Sequence, residues 1–181
     1  MEIYLVRHTK PLIENDVCYG QTDVPVDEII FESQATNILA ALPMNIDVIF
    51  SSPLQRCSLL ASFINEHQYH NAAIEYSDLL KEVHFGDWEN TKWNDINQKT
   101  LNLWMEDFVT KKPPNGESFI HLHQRTKYFL DNLGKQPYPA IAIITHAGII
   151  RSLTCHIQKI ELANAFSINC KYGSVSKLLF K

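Results

Sequence analysis

Cysteine is scarce in this sequence: four residues in 181, Cys18, Cys57, Cys155 and Cys170, with no C-x-x-C pair among them. That density excludes a disulfide-held scaffold, so the four read as reduced thiols of a cytosolic protein, with Cys57 and Cys155 packed inside. Positive charge is also short. Sixteen Lys and Arg against twenty Asp and Glu leave a net charge of −4. A nucleic-acid or anionic-membrane surface needs a basic face, so neither partner is expected and any cationic site must be local. Long apolar runs are missing too. The longest, Ala140 to Ile144, falls far short of the roughly 20 residues that cross a bilayer. The start, Glu2-Ile3-Tyr4-Leu5-Val6, has neither the basic leader nor the extended apolar core of a signal peptide. Internal repeats, low-complexity tracts and linkers do not occur. These absences lead to the expectation of a soluble, cytoplasmic protein.

What is present is ordinary globular material, 45% hydrophobic and 20% charged, in a length that suits one domain over residues 1–181. Four apolar runs, Ile3–Val6, Asp47–Phe50, Ala140–Thr145 and Ser174–Phe180, read as strands covered on both faces, with a weaker one at Ala73–Tyr76. Helical periodicity lies between them. Phe31, Ala35, Ile38, Leu39 and Leu42 mark an amphipathic helix over 27–41. Ser52-Pro53 pairs a capping residue with a first-turn proline ahead of Leu54, Cys57, Ala61 and Ile64. Phe119, Leu122, Phe129, Leu130 and Leu133 mark a third helix stopped by Gly134, and Ile149, Ile150, Leu153 and Ile157 a fourth. Alternating strands and helices predict an α/β layered fold with a mainly parallel sheet. Residues 83–118 hold all three tryptophans and a Pro-Pro-Asn-Gly turn, and are expected to form an irregular helical insertion near the site.

The residues just past each strand carry the chemistry. Arg7-His8 comes after the first, Ser51-Ser52-Pro53 with Arg56 after the second, and His146-Ala147-Gly148 after the third long run. In open α/β sheets ligands bind beyond the carboxyl ends of the strands. Two arginines, two histidines and two helix N-termini thus converge on one crevice of an acidic protein, an arrangement suited to a small, highly charged anion such as phosphate. His67, His70, His121, His123 and His156 show no partner pattern and read as surface residues.

Four segments then resemble the signatures of the histidine phosphatase superfamily, in its order: Leu5-Val6-Arg7-His8-Thr9, Ser51-Ser52-Pro53-Leu54-Gln55-Arg56, Glu82 within Leu80–Gly86, and Thr145-His146-Ala147-Gly148. The resemblance implies a phosphoglycerate mutase-like three-layer α/β/α sandwich. It implies His8 as nucleophile, Arg7, Arg56 and His146 as ligands of the phosphoryl oxygens, and Glu82 as general acid and then base. No metal and no other cofactor is implied. Thr9 stands where the family usually has glycine, and Ala147 where glycine is common; neither change removes a catalytic group.

Cys18–Pro25, Phe85–Glu89 and Pro114–Ser118 are similar to segments of the α-ribazole phosphatase branch, which points to a small phosphomonoester as partner and to Gly20 as a backbone N–H donor to phosphate. Trp88, Trp93 and Trp104 are either core or an apolar wall for a substrate base. Three rivals stand beside this reading. A mutase or bisphosphatase would use the same intermediate, with His84 as its support. A non-catalytic phospholigand-binding module would need neither nucleophile nor acid. A metallohydrolase using His8, Glu82 and His146 would place two arginines against its own cation. The oligomeric state is not legible.

Overall fold

In the computed structural model, which describes residues 1–70 and 72–180, the apolar runs assemble into one sheet. Its strands are β1 (Glu2–Arg7), β2 (Val48–Ser51), β3 (Ala73–Tyr76), β4 (Ala140–Thr145) and β5 (Val175–Leu179), in the spatial order β3-β2-β4-β1-β5. The first four are mutually parallel and β5 lies antiparallel on β1. The expected fold is present: a mainly parallel sheet between two helical layers.

The layers arise from the alternation of side chains along the strands. Ile3, Leu5, Val48, Phe50, Ile141 and Ile143 face α4 (Phe119–Leu133) and α5 (Ala147–Gln158). Tyr4, Val6, Ile49, Ala142 and Ile144 face α1 (Glu28–Ala41) and α2 (Gln55–Ile64). The three central strands are therefore sealed on both sides, which explains their near-continuous apolar runs. Ser174–Phe180 departs from that expectation. Only Leu178 of β5 is buried, because β5 is an edge strand. β3 is the opposite edge and is equally open.

A smaller cluster sits apart from these layers. Cys18, Trp88, Ile96 and Leu101 pack with Phe85, Trp93 and Trp104, organised by a short 3-10 turn at Gly86–Trp88 and by α3 (Gln98–Glu106). Residues 83–118 thus carry little regular structure and hold together through aromatic contacts. Trp93 and Trp104 stack with centroids 6.3 Å apart at 23°.

Two local expectations need correcting. Ser52 does not cap α2. Leu54 occupies the cap position and offers no side-chain bond; the Ser52 hydroxyl accepts from Leu54 N–H at 3.4 Å and also lies 2.9 Å from His146 Nε2. His123 and His156 are half-buried, not isolated surface residues. His123 Nδ1 and Ser152 Oγ lie 2.9 Å apart and the two imidazoles 5.7 Å apart, because both sit on the seam between α4 and α5. Cys18 and Cys170 are buried along with Cys57 and Cys155, and all four are free thiols. Among the described residues, no helix is long and apolar enough to cross a membrane.

Candidate active site

Strand register brings the site together. β1 and β4 pair so that Arg7 lies opposite Thr145, and His8 N–H donates to the Thr145 carbonyl at 3.1 Å. One residue further on, His8 and His146 stand side by side, ring centroids 5.0 Å apart. β2 ends at the same level, where Ser52 N–H donates to the Ile144 carbonyl. β1 runs on to α1 on one face and β4 to α5 on the other, so the two strands diverge at a switch point and open a crevice between them.

The imidazole tautomers are set by their partners. His8 Nδ1 lies 2.7 Å from the Thr9 carbonyl. A carbonyl only accepts, so Nδ1 carries the proton and Nε2 keeps its lone pair. Arg56 Nε donates to His146 Nδ1 at 3.3 Å, which puts the His146 proton on Nε2, 2.9 Å from Ser52 Oγ. Both rings are buried. Burial, then the neighbouring Arg56 charge and Arg7, holds His8 well below the ordinary histidine range, against the opposing pull of the Thr9 carbonyl. Burial, then the His8 ring and the arginines, does the same to His146. Both are neutral at neutral pH, and the His8 lone pair is available as a nucleophile.

Arg56 is 0% exposed. Its Nη1 donates to the Thr22 carbonyl at 2.9 Å and its Nη2 to the Gly20 carbonyl at 2.7 Å. No carboxylate pairs with it among the described residues. Arg7 donates through Nη1 to the Cys170 carbonyl, lies 3.8 Å from the centre of the Tyr172 ring, and has a buried Nε with no partner. One buried guanidinium and one half-buried, neither paired with a carboxylate among the described residues, leave a strong local demand for an anion.

The Gly20 carbonyl accepts from Arg56, and the loop around it is fixed from outside. Glu89 accepts from the N–H groups of Gln21 at 2.9 Å, Thr22 at 2.6 Å and Phe85 at 3.0 Å. Burial alone would raise the Glu89 pKa; the Thr22 hydroxyl and these N–H groups outweigh it and hold the carboxyl below its usual range.

Glu82 reaches the same crevice from the opposite side. Its Oε1 accepts from the N–H groups of Val83 and Gly148, each at 3.0 Å. The carboxylate thus rests on the first turn of α5, where free N–H groups and the helix dipole favour negative charge. A Cβ at Gly148 would lie 2.3 Å from Glu82 Oε1, so glycine is what lets the carboxylate approach. Arg125 pins the Glu82 loop. Nη1 donates to the Leu79 carbonyl at 2.7 Å, Nη2 to the Glu82 carbonyl at 3.0 Å, and the fork grips the Glu117 carboxylate. Glu117 in turn accepts from His84 N–H at 3.0 Å. His84 therefore enters through its backbone, and its side chain is not among those facing the cavity.

A cavity of about 200 Å³ is lined by Arg7, His8, Glu82, Tyr19, Tyr172 and an aromatic wall that includes Trp93 and Trp104. Trp88 is not part of that wall; it is buried in the small aromatic cluster. The hydroxyls of Tyr19 and Tyr172 are bonded to each other. Sequence reasoning found Arg7, His8, Arg56, Glu82 and His146, and the structure brings all five together. It missed Ser52 as a partner of His146, and Glu89, Arg125 and Tyr172 altogether. For Glu89 a signal existed in the Phe85–Glu89 segment; for Arg125 and Tyr172 there was none.

Comparison with known proteins finds relatives of the whole chain. The family model described as histidine phosphatase superfamily (branch 1) matches residues 3–181. An adenosylcobalamin/alpha-ribazole phosphatase of Escherichia coli strain K12 is 27% identical over 163 residues, 87% of this chain and 79% of that protein. Phosphoserine phosphatase 1 of Hydrogenobacter thermophilus is 26% identical over 136 residues, 73% of this chain and 64% of that protein. The crystal structure of the alpha-ribazole phosphatase from Shigella flexneri superposes with a TM-score of 0.91 at 24% identity, covering 100% of this chain and 91% of the other.

Proposed function

The chain belongs to the histidine phosphatase superfamily, branch 1, and is a phosphatase; from that premise we propose that it hydrolyses a small phosphomonoester through a phosphohistidine on His8, with α-ribazole 5′-phosphate as the candidate substrate. The observation that carries the reading is the buried Arg56 charge, without a carboxylate partner among the described residues, beside two neutral histidines.

The first displacement forms a bond from His8 Nε2 to phosphorus and breaks the ester P–O bond, while Glu82 delivers a proton to the departing alkoxide. Arg7, Arg56 and the Nε2–H of His146 meet the charge on the three non-bridging oxygens as the phosphoryl group passes in line. In the second displacement Glu82 takes a proton from water, the oxygen attacks phosphorus, and the P–N bond breaks to restore neutral His8. Gly20 holds Arg56 through its carbonyl and offers its own N–H as a further donor to the phosphate. The substrate assignment rests on likeness to the α-ribazole phosphatases of Escherichia coli and Shigella flexneri and on a cavity wall that includes Trp93 and Trp104. We place the enzyme in the cytoplasm, a reading supported by its four free, buried thiols.

Rapid quenching with phosphate-labelled substrate tests the intermediate. A phosphoryl group stable in alkali and labile in acid is expected on the protein and absent from His8→Ala, whose turnover falls by at least about 10⁴-fold. Substantial turnover in His8→Ala would sink the assignment.

A further inference from the structure

The catalytic cavity shares its aromatic wall with a second hollow. An open trough of about 550 Å³ lies on the far side, and Phe85, Trp93, Trp104, Phe108 and Phe166 line both. Leu101 and Met105 of α3 complete the trough, and none of the described residues lining it carries a charge. The contrast with the inner cavity is sharp, since Arg7, His8 and Glu82 gather there. Met105 and Phe166, each 54% exposed, keep apolar surface in water at the outer rim, an arrangement that costs free energy unless something covers it.

The shared aromatic lining and the gradient from charged to apolar select one occupant, the substrate itself. We propose that the trough is a second binding site for the leaving group, and that the natural substrate is an amphipathic phosphomonoester. Its phosphate sits against Arg7 and His8, and its flat or extended apolar body passes Trp93 and Trp104 to reach Met105. This rests on the phosphomonoesterase reading of the same cavity and goes further by naming the class of alcohol. A small, wholly polar leaving group such as serine would leave the trough uncovered.

A series of n-alkylphosphonates from ethyl to decyl tests this without requiring turnover, because binding is read from the fluorescence of Trp93 and Trp104 or by calorimetry. Once the chain reaches the aromatic wall, each added methylene should tighten binding about two- to fourfold, up to the end of the trough. Met105→Glu should abolish the gain for long chains while leaving ethylphosphonate unchanged, and Phe166→Ala should flatten the same slope. Affinity independent of chain length would overturn the proposal. So would a Met105→Glu variant that keeps the slope but changes the sedimenting mass, since the trough would then be a protein interface. Graded phosphonate binding with no phosphate release from any alkyl phosphate would support the trough and refute the phosphatase reading; release with flat binding would do the reverse.

Discussion

The two ends of the catalytic cavity are built on different principles. At the phosphate end, Arg7, His8, Ser52 and His146 sit at the ends of three adjacent strands, and backbone register fixes their separation. At the leaving-group end the walls come from widely separated loops, carrying Tyr19, Phe85, Trp93, Phe166 and Tyr172. Those are held by ring contacts and by carboxylate clamps, Glu89 on the Gly20–Thr22 loop and Glu117–Arg125 beneath Glu82. Phosphoryl transfer requires charges placed within fractions of an ångström, which a sheet core supplies. Selecting an alcohol requires a surface that can vary, which loops supply.

The strongest way to separate the two ends is Glu82→Gln. An alkyl alkoxide cannot leave at a useful rate without a proton, whereas p-nitrophenolate can. Hydrolysis of an alkyl phosphate should fall by roughly 10²–10⁴-fold more than that of p-nitrophenyl phosphate, as read from kcat/KM for both substrates. Equal losses would mean that Glu82 only shapes or charges the cavity.

Arg56→Ala attacks the phosphate end and should not distinguish leaving groups. A loss on the order of 10²-fold or more is expected on both substrates. A strongly substrate-dependent loss would tie Arg56 to the alcohol and break the division.

Arg125 touches neither end directly, yet it ties down the backbone on which Glu82 is carried. Arg125→Ala should therefore repeat the Glu82 signature in milder form, a loss of about 10–10²-fold weighted toward alkyl phosphates, at a temperature where the variant's circular dichroism shows it folded. A uniform loss on both substrates would reduce Arg125 to a structural role.

The smallest effect concerns stability. His8 and His146 are held neutral in the folded protein, with pKa values well below the ordinary range; in the unfolded chain they take up protons near pH 6.5. Between those limits the unfolded state binds more protons, so their contribution is full above about pH 6.5 and is lost as pH falls toward the folded values. Thermal midpoints should drop between pH 7.5 and pH 5.5, at up to about 1.4 kcal/mol per pH unit for each histidine. The drop should shrink in a His8→Asn, His146→Asn double variant. An unchanged drop would show that these two rings are not the acid-sensitive groups.

Much of the phosphate end was legible because its signals are local. A buried strand reads as an apolar run, and the residues just past its end must lie at the sheet's carboxyl edge, so Arg7-His8, Arg56 and His146-Ala147-Gly148 declared themselves in their own neighbourhoods. β3, an open edge strand, was found at Ala73–Tyr76 only as a weaker run. The open face of β5 was not, since a strand's place in the sheet order is not written in its residues. Nor could local pattern show that Ser52 would also serve His146, 94 positions away. Arg125 read as one more charged residue on a helix until folding set it under the Glu82 carbonyl, 43 positions distant. Tyr172 acquires its place over Arg7 only when β5 folds back along β1. Periodicity and strand-end chemistry depend on residues a few positions apart, and these the sequence determined; clamps, hydroxyl partners and the aromatic wall depend on contacts between distant segments, which only the packed tertiary structure decides.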